Sequence, residues 1–218
     1  MLDLVLPQRC GVCALPGRAL CDTCRRALVR LLPPVCDRCG SPGAWPVRRC
    51  SECARRRLGF ATARAAILYE PHARALVGKW KERGRRDLSR LAAELVADVL
   101  PRPDADALTF VPGDRDRVLL RGHAPPERLA WELGSLWAMP VHPLLVRARQ
   151  VSRQRGLSLA ERRRNVAGAF VAVGRMPRHV VLVDDVYTTG STVSACAIAL
   201  GQAGVERIDV ACLARAVR

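Results

Sequence analysis

Eight of the ten cysteines fall in four CxxC pairs: Cys10 and Cys13, Cys21 and Cys24, Cys36 and Cys39, Cys50 and Cys53. A CxxC turn aims two thiolates at one point, and two such turns complete the tetrahedral sulfur shell that Zn²⁺ prefers. Four turns therefore suit two zinc ions. Neighbouring pairs give the compact arrangement, with Cys10, Cys13, Cys21 and Cys24 in one site and Cys36, Cys39, Cys50 and Cys53 in the other; an interleaved pairing satisfies the same spacing. A reducing compartment argues against a disulfide framework. A thioredoxin-like redox centre uses one CxxC opening a helix beside a strand, not four in a row. Iron–sulfur ligation is a further rival, against which stand the regular knuckles and the glycine after Cys39. Four thiolates leave no open coordination position, so the expected role is structural. Few large apolar residues surround these cysteines, and metal then supplies most of the folding energy of the segment. Cys196 and Cys212 lie in apolar runs and read as ordinary buried side chains.

A second constellation sits near the C-terminus, where "VVLVDDVYTTGST" runs from Val180 to Thr192. An apolar run ends on two carboxylates, Asp184 and Asp185, and a small hydroxylated loop follows: Thr188, Thr189, Gly190, Ser191 and Thr192. A loop of this kind opening a helix offers backbone N–H groups, hydroxyls and the helix dipole to an anion. Two carboxylates beside that cradle would repel a bare phosphate. They make sense when the ligand carries hydroxyls a short distance from its phosphate, as ribose 5-phosphate does. The ribose hydroxyls then donate to the carboxylates while the loop holds the phosphate.

The elements that must position these groups alternate between strand and helix. "ATARAAILYE" reads as a strand, and "PHARALVGKWKERG" and "DLSRLAAELVADVL" carry apolar residues at helical spacing. Pro101 and Pro103 stop the second helix. "DALTFVP" reads as a short buried strand, followed by a basic loop and the helical "PPERLAWELGSLWA". "VVLVDD" is a strand, "STVSACAIALGQAG" a helix and "RIDVACLAR" a last strand. This alternation predicts an α/β fold with a parallel sheet and helices on both faces. Ligands of such sheets bind at the carboxyl edge of the strands, where Asp184 and Asp185 fall. Trp80, Trp131 and Trp137 lie on apolar helical faces and read as core. The composition shift after Arg55–Arg57 divides the chain into residues 1–57, the cysteine knuckles, and 58–218, the α/β domain.

The chain has 218 residues, 50% of them hydrophobic, enough for a real core. Its formal net charge is +16, carried almost wholly by arginine. That balance points to an acidic partner: nucleic acid, anionic lipid or a polyphosphate metabolite. No apolar stretch approaches the roughly 20 residues of a membrane span. The opening "MLDLVLPQRC" lacks the features of a signal peptide, and a cytoplasmic location is expected.

The Val180–Thr192 stretch resembles the signature of type I phosphoribosyltransferases. "AAILYEPHARALVGKWKERG", "RQRGLSLAERRRNVAGAF" and the tandem CxxC knuckles further resemble the ComF family of competence-associated proteins, and the likeness spans essentially the whole chain. It implies a type I phosphoribosyltransferase-like parallel sheet flanked by helices, behind a small N-terminal double zinc ribbon. It implies phosphoribosyl diphosphate as ligand, with Mg²⁺ bridging ribose hydroxyls and pyrophosphate. If the protein turns over, the reaction is displacement of pyrophosphate by a nitrogen nucleophile, with Asp184 and Asp185 positioning the ribose. Arg147–Asn165 would be a hood closing over the site. One departure lies in "FVPGDRDRVLLRGHAPPERLA", where "RGH" stands for "RGF" and an Asn-Gln pair is absent. Arg115, Arg117 and Arg121 are the expected pyrophosphate contacts there, interleaved with Asp114 and Asp116. The alternatives are a single-stranded DNA-binding protein of DNA uptake, working with other uptake proteins, and a non-catalytic sensor of phosphoribosyl diphosphate. Against DNA, the knuckle segment holds one aromatic, Trp45, where base stacking usually needs several.

Overall fold

Val180–Val183 alternate their burial partners, and that alternation sets the architecture. In a computed structural model describing residues 8–82, 84–148 and 168–217, they lie in a strand, His179–Tyr187. Val181 and Val183 join one core cluster, while Val180 and Leu182 join another. A strand buried on both faces reads as a continuous apolar run.

In chain order the elements are α1 (Asp22–Ala27), β1 (Thr62–Leu68), α2 (Pro71–Glu82), α3 (Leu88–Ala97), β2 (Ala107–Phe110), α4 (Arg115–Arg121), α5 (Pro125–Trp137), β3 (Leu145–Arg147), β4 (Phe170–Ala172), β5 (His179–Tyr187), α6 (Ser191–Gln202) and β6 (Arg207–Arg215). The main sheet has the order β1-β6-β5-β2, with every neighbouring pair parallel. Helices α2, α3 and α5 cover the face carrying Val181 and Val183, and α6 covers the other. The expected α/β sheet flanked by helices is present.

Cys196 and Cys212 are buried in the α6 face, where burial pushes both thiols well above their ordinary range. Trp80 is fully buried and its indole N–H donates to Ser89 Oγ at 3.0 Å. Trp137 is buried, but Trp131 is 52% exposed, against the core reading of its helix face. The buried stripe of α5 runs through Leu129, Ala130, Leu133, Gly134 and Trp137, and Trp131 falls outside it.

Two elements depart from the sequence expectation. The basic loop after β2 contains the helix α4, which buries no side chain and therefore shows no apolar period. Its ends define it: Asp114 Oδ1 accepts from the Arg117 N–H at 3.3 Å, and Gly122 closes it with a positive φ of 68°. The antiparallel pair β3–β4 was not anticipated either, each strand being 3 residues long.

The cysteine segment packs against the sheet and its helices. Leu20, Cys24 and Leu28 join the cluster containing Leu76 and Leu88, while Leu31, Cys36, Cys39 and Cys53 join the opposite one. The Leu31 N–H donates to the Ala66 carbonyl at 2.9 Å, and the Leu68 N–H to that of Val29 at 2.8 Å. These bonds cover the outer edge of β1, which would otherwise offer unpaired backbone groups.

Candidate functional site

The thiol quartets are formed by neighbouring pairs: Cys10, Cys13, Cys21 and Cys24 in one, Cys36, Cys39, Cys50 and Cys53 in the other. Within each quartet the sulfurs lie within 4.8 Å of one another. Individual separations are 3.8 Å for Cys13–Cys21, 3.7 Å for Cys36–Cys53 and 3.5 Å for Cys39–Cys50. A Zn–S bond of about 2.3 Å makes the edge of a tetrahedron roughly 3.8 Å, so the quartets fit zinc. They do not fit disulfides, whose sulfurs sit about 2.05 Å apart. In each quartet one sulfur is poised to ionise. Burial pushes Cys10 up, but N–H groups of Cys21, Val12 and Cys13 outweigh it and hold the thiol at about 6. Burial likewise opposes ionisation at Cys36, and N–H groups of Cys39, Cys50 and Arg38 bring it to about 7.

The second site opens at the carboxyl edge of β5. A cleft of about 270 Å³ is lined on one side by Asp184, Asp185, Thr188 and Thr192, and on the other by Gly113, Asp114, Arg117, Arg121 and His123. Lys81 of α2 and Arg147 of β3 complete it. Adjacent parallel strands, β2 and β5, deliver the two walls, which is why loops far apart in sequence meet here.

Lys81 Nζ lies 2.6 Å from Asp185 Oδ1, and Asp184 accepts from the Asp185 N–H at 2.9 Å. Burial first, and the neighbouring Asp185 charge second, raise Asp184 to about 7, although Lys81 and Arg147 pull the other way. Asp184 therefore holds its proton in a sizeable share of molecules at neutral pH.

Beyond the carboxylates the chain turns sharply into α6. Thr189 and Ser191 are buried and share a hydroxyl hydrogen bond of 2.8 Å, while the Ser191 N–H donates to Thr189 Oγ1 at 3.3 Å. Gly190 adopts φ 70°, and a Cβ there would run into the ring and hydroxyl of Tyr187. Only glycine fits both constraints. The first N–H groups of a helix lack intrahelical acceptors, so the turn presents donors beside Thr188 and Thr192.

Of the three arginines expected to meet pyrophosphate, Arg117 and Arg121 line the cleft. Arg115 is exposed on the other side of α4, since residues two apart on a helix point roughly oppositely whereas 117 and 121 share a face. The sequence reading missed Lys81 and His123. The chain's sole lysines are Lys79 and Lys81, which was a legible signal in an arginine-rich sequence. Lys79 Nζ donates to the Val12 carbonyl at 2.7 Å beside the first quartet, and Lys81 reaches Asp185. Of the expected hood, Arg147–Asn165, residues 149–165 lie outside the described residues.

The fold and its sites define an α/β protein with a polar ligand cleft at the carboxyl edge of a parallel sheet and a double zinc ribbon packed against that sheet. Residues 1–56 match the double zinc ribbon domain family. The chain is 31% identical to the DNA utilization protein YhgH of Salmonella typhi, covering 97% of this chain and 99% of that protein. It is 31% identical to Competence protein F of Haemophilus influenzae, over 90% of each chain. YhgH of Escherichia coli K12 is 29% identical over 97% of this chain and 99% of its own length. The chain belongs to the ComF family. Among the described residues no helix is long and apolar enough to cross a membrane.

Proposed function

We propose that the cleft binds phosphoribosyl diphosphate as its Mg²⁺ complex and that the protein is phosphoribosyltransferase-like, with residues 1–57 as a zinc-bearing ribbon module and 58–218 as the ligand-binding domain. The observation that carries the reading is the junction of Asp184 and Asp185 with the Thr188–Thr192 turn inside one cleft also lined by Lys81, Arg117, Arg121 and Arg147. The carboxylates accept hydrogen bonds from two ribose hydroxyls. The turn at the α6 N-terminus holds the 5-phosphate. Arg117 and Arg121 meet the pyrophosphate, whose oxygens suit guanidinium forks. The negative charge of Asp184 and Asp185 would also stabilise a developing oxocarbenium at the anomeric carbon. Mg²⁺ would come with the ligand and would neutralise charge on its diphosphate. If turnover occurs, a nitrogen nucleophile takes the place of pyrophosphate; a non-catalytic sensor would use the same contacts.

The test is thermal. Phosphoribosyl diphosphate with Mg²⁺ should raise the melting temperature, because it binds the folded state alone. Asp184→Asn combined with Asp185→Asn should abolish most of that rise while leaving zinc content unchanged. A double variant that binds like the parent overturns the assignment.

A second reading has its own support. Relatives are named for DNA utilization and competence, and Arg48, Arg49, Arg55 and Arg57 are exposed around the last knuckle, near the 70% exposed Trp45. In this reading the ribbon contacts single-stranded DNA during DNA uptake, alongside other uptake proteins. Neutralising those four arginines should weaken DNA binding and spare phosphoribosyl diphosphate. Absence of DNA binding at low salt overturns it.

A further inference from the structure

Two buried side-chain nitrogens in the cleft wall have no hydrogen-bond partner among the described residues: His123 Nε2 and Arg147 Nε. An unsatisfied buried polar atom is costly, and native folds keep few of them. Two in one cleft call for a ligand that completes them.

His123 is 4% exposed and sits between Gly122, which closes α4, and Ala124, which caps α5. Its Nδ1 lies 3.2 Å from the Arg121 carbonyl oxygen. A carbonyl only accepts, so Nδ1 carries the hydrogen and donates, which leaves Nε2 as the ring atom available to a ligand. Arg147 Nε is an obligate donor, so whatever completes it brings an acceptor oxygen.

The charges lining the cleft agree. Lys81 comes from α2, Arg117 and Arg121 from α4, and Arg147 from β3; against them stand Asp114 ahead of α4 and Asp184 and Asp185 from β5. Four cationic side chains and three carboxylates line the cleft, and one of those carboxylates, Asp184, sits at about 7, so the cations outnumber the charged acids. A cleft with this balance attracts an oxyanion. Beside an oxyanion, a bare imidazole nitrogen is repelled, whereas a protonated one donates a charge-assisted hydrogen bond.

We propose that His123 is an anion-binding residue of the cleft, which takes up a proton from solvent as a polyphosphate enters and donates Nε2–H to one of its oxygens. Nδ1–H stays on the Arg121 carbonyl throughout. The identity of the anion as the diphosphate of phosphoribosyl diphosphate rests on the reading above; the anion site itself does not.

The experiment titrates the full chain with inorganic pyrophosphate by calorimetry in two buffers of different ionisation enthalpy, for the parent, His123→Phe and His123→Gln. ¹⁵N resonances of the His123 ring are followed in parallel. The parent should take up more protons than His123→Phe, by up to about one per pyrophosphate. It should bind roughly tenfold more tightly than His123→Phe. His123→Gln, which donates without titrating, should recover part of the affinity and none of the proton uptake. The Nε2 resonance should move from the bare to the protonated position. Equal affinity and proton uptake in parent and His123→Phe overturns the proposal, as does an unmoved ring at saturation or a parent that binds no pyrophosphate. If pyrophosphate moves the ring but phosphoribosyl diphosphate gives no thermal shift, the anion site stands and the ribose reading falls. If the thermal shift appears and the ring stays still, the reverse holds.

Discussion

Arg215 and Cys39 lie 176 positions apart in the chain, yet Arg215 Nη1 donates to the Cys39 carbonyl oxygen at 2.6 Å. The same guanidinium, 1% exposed, pairs with Glu52 at 2.7 Å and lies 4.5 Å from the ring centroid of Tyr187. Tyr187 in turn packs against Gly190, where the chain bends into α6. One buried arginine therefore joins the second thiol quartet to the candidate ligand loop. Burial works against its charge, but its neighbours Cys39, Tyr187 and the Glu52 carboxylate outweigh that and keep it protonated.

Arg215→Leu should destabilise the protein by about 3 kcal/mol, since it strands Glu52 and the Cys39 carbonyl in a nearly dry site. Arg215→Lys should recover little, because an ammonium has neither the fork nor the flat face that stacks on Tyr187. Denaturant unfolding measures both. Either variant should also weaken phosphoribosyl diphosphate binding, and an unchanged affinity would separate the loop from the ribbon.

Gly190→Ala should cost at least about 1 kcal/mol of stability, because the positive φ disfavours any side chain and Tyr187 occupies the space. The loss of ligand-induced thermal shift should be larger than that figure implies, as the turn itself must move. A variant with normal stability and normal ligand response would show that the turn does not depend on this glycine.

The raised Asp184 makes a signed prediction for pH. An aspartate titrates near 3.9 when unfolded, and in the folded protein this one titrates at about 7. The folded state therefore binds the proton more tightly, and the stability this confers is full below about pH 4 and lost as pH rises through about 7. Asp184→Asn should remove that slope and be the more stable form at pH 8, by on the order of 3 kcal/mol. Melting temperatures of both proteins between pH 5 and 8 supply the measurement, and parallel curves would refute the assignment.

Elemental analysis of reduced protein should find two zinc ions per chain. Cys21→Ser should leave about one, since three thiolates bind the metal far more weakly than four. Because Leu20, Cys24 and Leu28 share a core with Leu76 and Leu88, the damage should spread to α2 and α3, and hydrogen exchange there should rise. Iron in place of zinc, or no metal, sinks the claim.

The four CxxC pairs, the alternation of strand and helix and the apolar run ending at Asp184 and Asp185 are all local patterns, and the sequence by itself determined them. Ligand spacing is a property of a few consecutive residues, and apolar period follows directly from which faces are buried. The helix α4 escaped notice because it buries nothing, so its only marks are Asp114 and Gly122 at its ends. The expected core tryptophan Trp131 is exposed because periodicity locates a stripe only to within a residue or two. Tertiary structure alone chose the neighbouring pairing of knuckles, since the spacing allowed two. It alone brought Lys81, His123 and Arg147 to the cleft, because each arrives on a different element and the parallel crossovers place those elements side by side. The link from Cys39 through Arg215 to Tyr187 had no local mark at all: it exists because the ribbon packs on the strand end, burying a charge that neither segment would bury alone.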